Sequence, residues 1–342
     1  MKKLFALALS FVMVFSLIAC NGETTTDETT TAATAAATTT AATTTEAEET
    51  DPVDAVHKIG VLAPAATHGW VAGVTYYAES RLEELEDEGK VEYQIYTSTN
   101  AEQMTAQLDD LRTWGAEAIV AFPQWEGMES PMQEAIDDGI TVVNFDIEIN
   151  AEGVYRVAGD NEDMGIQSAH YIVDKIGTEG TVVILDVPSS GSVAALRKQG
   201  FLDTVEEIAP DLELHTYATQ FAREAGLSDF SDILTTHDQI DAVFSMDDET
   251  SIGVVQAIEE ASRDDIQVIT GGGGAQEYFN MMDEYDDIWL QSALYSPSMV
   301  EDAVDMAVAI LNGEDVETVV IIPTDIVDRD NVDDYLDASS PY

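Results

Sequence analysis

The chain has one cysteine, Cys20, and few cations: 13 Lys plus Arg stand against 67 Asp plus Glu, a formal net charge of −54. From about Val56 onward there is no cysteine, so no disulfide braces the folded part and no thiol chemistry occurs in it. A surface this acidic repels a phosphate backbone everywhere, which excludes nucleic-acid binding. The carboxylate-dense stretch Glu83-Glu84-Leu85-Glu86-Asp87-Glu88 lacks the alternating Asp/Asn and central glycine of an EF-hand, and reads as a solvated helix face. There is no Gly-x-Ser-x-Gly elbow, and none of the five histidines has a metal-ligand spacing. Neither an enzyme nor a metal or cofactor is therefore expected. No stretch after residue 20 is apolar enough to span a bilayer. An acid-rich, lysine-poor surface suits a saline medium, where salt screens the self-repulsion.

The N-terminal segment is informative. Lys2 and Lys3 precede an apolar run from Leu4 to Ile18, which is shorter than a membrane span and built like a cleavable signal. Leu17-Ile18-Ala19-Cys20 closes it and resembles the lipobox of bacterial lipoproteins. That resemblance implies cleavage before Cys20 and lipid attachment to its sulfur, which would hold the protein outside the cytoplasm by a lipid anchor alone. The alternative is an ordinary secretory signal with an incidental cysteine. Residues 21–55 are rich in Thr, Ala and Glu and offer no aromatic side chain to bury, so they read as a disordered tether. Some ~30 such residues reach roughly 30 Å.

From Val56 the sequence alternates short apolar runs with longer amphipathic stretches. Strands are expected at His57–Ala63, Val91–Tyr96, Ala118–Phe122 and Thr141–Phe145, with helices at Gly69–Glu86, Ala101–Trp114 and Met128–Asp138 between them. The pattern restarts after Gly159, with strands Thr181–Leu185, Glu213–Tyr217, Ala242–Phe244 and Gln267–Thr270 separated by helices. Continuous apolar strands with helical crossovers indicate parallel sheets covered on both faces, here an α/β chain of two doubly wound lobes. In such sheets ligands bind beyond the carboxyl ends of the strands. The loops there carry Trp70, Trp125, Phe221, arginines and several carboxylates. Aromatic faces on sugar C–H surfaces, with Asp and Arg bonding hydroxyls, compose a carbohydrate site.

These loops and strands resemble the type I periplasmic sugar-binding proteins, the ribose-binding group of ABC importers. The resemblance rests on Ile59-Gly60-Val61, on Val142-Val143-Asn144-Phe145-Asp146, on Arg197-Lys198-Gln199-Gly200-Phe201, and on Ala242 to Glu249 with Asp247-Asp248-Glu249 closing it. It implies two lobes joined by three crossings, near Ala158–Asp160, Leu294 and Asp325, that close on ligand by hinge motion. The lobes are then 56–158 with 295–325, and 159–294 with 326–342. It also implies a monomeric receptor that takes a sugar from solution and presents it to an ABC permease. Carried over, Trp70 stacks on the sugar, Asp146 and Asp247 accept from its hydroxyls, Arg197 donates, and Phe221 stacks from the second lobe. Ile147 stands where ribose binders have arginine. Gly271 to Gly274 replaces an Asp-Gly pair, and Leu294, beside Tyr295, replaces a glutamine. Three polar contacts of the pentose pattern are thus lost or moved.

Several residues have a second reading. Asp248 suits an N-cap for a helix Ser251–Glu260. Trp114 and Trp289 suit core packing, and Trp125 suits either pocket lining or loop packing. His68 either bonds ligand or lies exposed. The glycine run, with Gly273, lets backbone approach ligand; a phosphate cradle there lacks the Gly-Lys-Ser/Thr ending. The same fold also serves sensors of quorum-signal furanoses or nucleosides, which present ligand to a signalling partner.

Overall fold

The computed structural model describes residues 56–342, so the expected signal segment, Cys20 and the tether lie outside the described residues. The chain first forms β1 (His57–Pro64), α1 (Gly69–Asp87), β2 (Val91–Ser98), α2 (Ala101–Trp114), β3 (Ala118–Ala121), α3 (Glu129–Asp137), β4 (Thr141–Phe145) and β5 (Tyr155–Gly159). A second run gives α4 (Asn161–Ile176), β6 (Glu179–Asp186), α5 (Ser192–Ile208), β7 (Asp211–Ala218), α6 (Arg223–Leu234), β8 (Ala242–Phe244), α7 (Asp248–Ala261), β9 (Val268–Gly272), α8 (Gln276–Met282) and β10 (Trp289–Ala293). It ends with α9 (Val300–Leu311), β11 (Val319–Ile322) and β12 (Ile326–Asp328).

The strands make two six-stranded sheets, ordered β11-β5-β4-β3-β1-β2 and β12-β10-β9-β8-β6-β7. All pairings are parallel except that of β12 with β10. Buried runs such as Ala118-Ile119-Val120-Ala121 are apolar on both faces because helices cover both sides of each sheet. In each lobe the strand order reverses once, between β1 and β3 and between β6 and β8. The loops after those strands diverge at the reversal and leave a crevice. Two doubly wound α/β lobes are thus present.

Helix ends follow local chemistry. Asn100 caps α2 by accepting from Gln103 N, and Gly115 ends it in the left-handed region at φ 88°. The tightest helix contact in the second lobe depends on glycine. A Cβ on Gly165 of α4 would lie 2.0 Å from Arg197 O, and one on Gly200 of α5 would lie 2.2 Å from Glu162 O. The two helices therefore pack backbone against backbone, and Phe201 beside Gly200 stacks on Phe244 at 4.0 Å. The Arg-x-x-Gly-Phe segment is a packing device as well as a carrier of Arg197.

The chain passes between the sheets at Asp160, at Leu294–Ser296 and at Pro323–Asp325. The three segments are bonded to one another: Asp160 N donates to Ile322 O at 3.0 Å, and Leu294 N to Asp325 O at 2.8 Å. Residues 326–342, expected wholly in the second lobe, divide instead. β12 lies in the second sheet, but Ser340 bonds Tyr77 of α1 in the first lobe at 2.9 Å.

Trp114 and Trp289 pack against the core as expected, each half-buried. Trp114 ends α2 with Lys58 Nζ 5.2 Å above its ring, and Trp289 lies between Lys175 at 3.7 Å and Arg329 at 4.2 Å. Each sits at an element end, where long cationic side chains cover its outer face.

Candidate functional site

A cavity of about 810 Å³ lies between the lobes. His68, Trp70, Trp125, Asp146, Arg197, Phe221, Asp247, Gly273 and Tyr295 all line it, so the fold brings all nine candidates together. Each position follows from the sheets: His68 and Trp70 follow β1, Trp125 follows β3, Asp146 follows β4, Phe221 follows β7, Asp247 follows β8 and Gly273 follows β9.

Aromatic rings form one wall. Trp70 lies parallel to Phe145 at 6.2 Å and meets Phe122 edge-on at 5.8 Å. Its indole N–H is spent on Tyr295 O at 2.7 Å, which fixes the ring and leaves its face as an apolar surface.

Asp146 closes β4 with φ 65°, in the left-handed region that L-residues other than Asn and Asp seldom adopt. Such a conformation costs on the order of 1 kcal/mol and is held by its surroundings. Here the Arg156 guanidinium donates to Asp146 O at 2.9 Å, and Asp146 N donates to Val157 O at 2.9 Å. The kink aims the carboxylate at the second crossing, where Tyr295 donates its phenolic hydrogen to Oδ1. Burial pushes the Asp146 carboxyl above its usual range, opposed by the Tyr295 bond and the Arg197 charge.

Tyr295 also accepts from Asn161 Nδ2 at 3.1 Å, and Asn161 Oδ1 accepts from Arg197 Nε at 2.8 Å. Arg197 Nη1 donates to Met246 O at 2.6 Å, and the guanidinium lies over Tyr295 at 4.8 Å and Phe221 at 5.7 Å. A continuous chain of hydrogen bonds thus runs from Asp146 in one lobe, through Tyr295 on the second crossing and Asn161 beside the first, to Arg197 in the other. Neither Asn161 nor Arg156 carries a local sequence signal for its role. Asn161 directly follows the capping Asp160, and only the tertiary fold places it under Arg197.

Asp247, 8% exposed, caps α7: its Oδ2 accepts from Thr250 N at 3.3 Å. The cap was expected at Asp248, but α7 begins at Asp248 itself. Asp247 Oδ1 is buried and has no partner among the described residues. Burial pushes the Asp247 carboxyl up to about 7. His68 Nδ1 is likewise buried and unpartnered, and burial lowers its pKa, leaving a neutral ring that can accept or donate. Arg223 is not free for ligand, because its guanidinium forks onto Glu277 at 2.8 and 2.7 Å.

Asp248 has a different task. Its Oδ2 accepts from Gly274 N and Ala275 N, both at 2.8 Å, and from Ser292 Oγ at 2.9 Å. Gly273 N is bonded to Ala293 O at 3.0 Å. The N–H groups of the glycine run are thus spent inside the protein, which removes the phosphate cradle. Gly273, at φ 136°, has Tyr342 Oη across the face a side chain would take: a Cβ there would meet it at 2.6 Å. That tyrosine lines the cavity and was not anticipated.

A family model described as a periplasmic binding protein domain matches residues 59–315. The chain belongs to the periplasmic binding protein family. It is a type I member, with the two parallel-sheet lobes of its structural neighbours, and a solute receptor rather than an enzyme. This periplasmic binding protein is similar to the xylitol-binding protein of Mycolicibacterium smegmatis, 26% identical over 247 residues, which span 70% of this chain and 69% of the relative. It is 26% identical over 175 residues to the ribose import binding protein of Escherichia coli, across 51% of this chain and 59% of that protein. Its fold matches a solute binding protein of Bacillus halodurans solved with bound myo-inositol, with a TM-score of 0.74 and 21% identity over 85% of this chain and 100% of that one.

Proposed function

We propose that the protein captures an uncharged monosaccharide or polyol between its lobes and delivers it to an ABC importer from outside the cytoplasm, held there by lipid on Cys20. The observation that carries this reading is the pair Asp146 and Asp247, one from each lobe, sharing a cavity with Arg197 and an aromatic wall. Vicinal hydroxyls donate to the carboxylates and accept from the guanidinium, while ring C–H faces lie on the indole. The relatives named for xylitol and ribose, and the neighbour solved with myo-inositol, support a ligand of this class.

The charge of the cavity narrows the class. Glu126, Glu129 and Glu148 line it beside Asp146 and Asp247, against Arg197 as the cation. An anionic sugar would meet five carboxyl groups against one guanidinium, so repulsion outweighs the single pairing. The test is thermal unfolding of the full chain with xylitol, D-ribose, D-allose and myo-inositol, and with D-ribose 5-phosphate as the anionic counterpart. A true ligand at ~100 times its Kd adds about 2.7 kcal/mol of stability. Stabilisation by the phosphate and by none of the neutral compounds would overturn the reading. The anchor is tested by Cys20→Ser, which should move the protein from membrane fraction to medium because the acyl chains supply the membrane affinity.

A further inference from the structure

Beyond β12 the chain runs back beside the hinge crossings, and its contacts are of two kinds. On the second lobe, Gln276 of α8 grips the backbone: Nε2 donates to Tyr335 O at 3.1 Å, and Oε1 accepts from Asp337 N at 2.7 Å. The Tyr335 ring meets Phe279 edge-on at 6.3 Å. On the first lobe, Ser340 Oγ bonds Tyr77 Oη at 2.9 Å. Ser340 Oγ also donates to Tyr342 O at 2.9 Å, which turns the chain inward.

The turn delivers the Tyr342 side chain into a slot with walls from both lobes. A Cβ on Gly69 would lie 3.1 Å from the ring, one on Gly73 3.4 Å from its Cβ, and one on Gly273 2.6 Å from its hydroxyl. Gly69 and Gly73 belong to α1 in the first lobe, and Gly273 to the second. The ring is buried, yet it lines the ligand cavity, and its hydroxyl makes no hydrogen bond among the described residues. A buried phenol ordinarily finds a partner. Here the cavity is the direction left open.

We propose that residues 335–342 form a strap that ties the two lobes together beside the hinge crossings and places Tyr342 in the cavity as a ligand-contacting wall. The three crossings permit the lobes to swing. The strap is a fourth link, and unlike the crossings it is held by side chains and can let go. Seating of Tyr342 between Gly69 and Gly273 requires the lobes to be close, so strap docking and lobe closure favour one another. The phenol then offers a hydrogen bond and a ring face to a polyol already held by Asp146 and Asp247. This ligand role rests on the polyol reading above; the strap itself does not.

Two measurements separate the parts. Spin labels at Glu126→Cys and Ser189→Cys, on exposed positions of opposite lobes in the full chain carrying Cys20→Ser, report the width of the mouth by pulsed electron resonance without any ligand. Tyr342→Ala should shift that distribution to longer distances and broaden it. Tyr77→Phe, which removes the first-lobe anchor and is too conservative to prevent folding, should do so to a smaller extent. The exposed control Ile321→Ala should leave it unchanged. Identical distributions in wild type, Tyr342→Ala and Tyr77→Phe would overturn the strap. Separately, with whichever of xylitol, D-ribose, D-allose or myo-inositol binds the wild type, Tyr342→Phe should weaken affinity at least fivefold through loss of the hydroxyl. Unchanged affinity in Tyr342→Phe and Tyr342→Ala would overturn the contact role. If none of the four binds, the polyol reading fails while the distance measurement still decides the strap.

Discussion

Tyr295, on the second crossing between the lobes, donates its phenolic hydrogen to the carboxylate of Asp146, at the tip of a strand in the first lobe. One side chain therefore ties the hinge to the binding cavity, and it also holds Asn161 beneath Arg197. The site is assembled by the crossings as much as by the lobes.

The first prediction follows from that bond. Tyr295→Phe leaves Asp146 Oδ1 and Asn161 Nδ2 buried without a partner, and each such loss costs about 1–3 kcal/mol. In a double-mutant cycle with Asp146→Asn, measured by urea unfolding, the two changes should couple by roughly 0.5–3 kcal/mol. Additivity within about 0.3 kcal/mol would mean the bond contributes nothing to the fold.

A second prediction concerns pH. Burial raises the Asp247 carboxyl from 3.8 to about 7 and Asp248 to about 6. Between the unfolded and folded values the native state holds a proton that the unfolded chain has lost. These groups therefore stabilise the fold less as pH rises through that window, and their effect is flat above it. Asp247→Asn mimics the protonated form and keeps the cap on α7. Relative to wild type it should gain about 2 kcal/mol of stability between about pH 5 and about pH 8. A difference independent of pH would show that Asp247 titrates normally.

The third prediction tests helix packing. A methyl on Gly165 would lie 2.0 Å from Arg197 O, a backbone atom that cannot yield without moving α5. Gly165→Ala should cost roughly 1–3 kcal/mol or more in unfolding free energy, and should weaken ligand binding because α5 carries Arg197. Urea unfolding within about 0.5 kcal/mol of wild type would contradict the close packing.

Much of the fold was legible because each central strand is a short apolar run between amphipathic helices. The strands that escaped are those that lack this signal. β5 contains Arg156, β10 carries the polar Gln291 and Ser292, β12 has three residues, and β11 is an edge strand with Val319 and Ile321 exposed. The cavity residues were readable where they end a strand with a loop of characteristic chemistry, as Asp146 and Asp247 do. Asn161 and Tyr342 gave no local signal, since their roles depend on contacts with Arg197 and Gly273 that only the closed topology creates. Asp247 lines the cavity and also takes the cap expected at Asp248, while Asp248 braces the glycine loop, because either of two adjacent aspartates suits a cap until the first turn of the helix is fixed.

The most direct measurement is titration calorimetry of wild type, Arg197→Ala and Asp247→Ala with xylitol, D-ribose, D-allose and myo-inositol. Arg197 and Asp247 meet the cavity from the second lobe, and a charge-assisted hydrogen bond contributes about 1.5–3 kcal/mol. At least one polyol should bind the wild type, and each substitution should weaken it about tenfold or more while thermal unfolding without ligand shows a native-like transition. Binding of equal strength in all three proteins would contradict the assignment of this cavity as the receptor site.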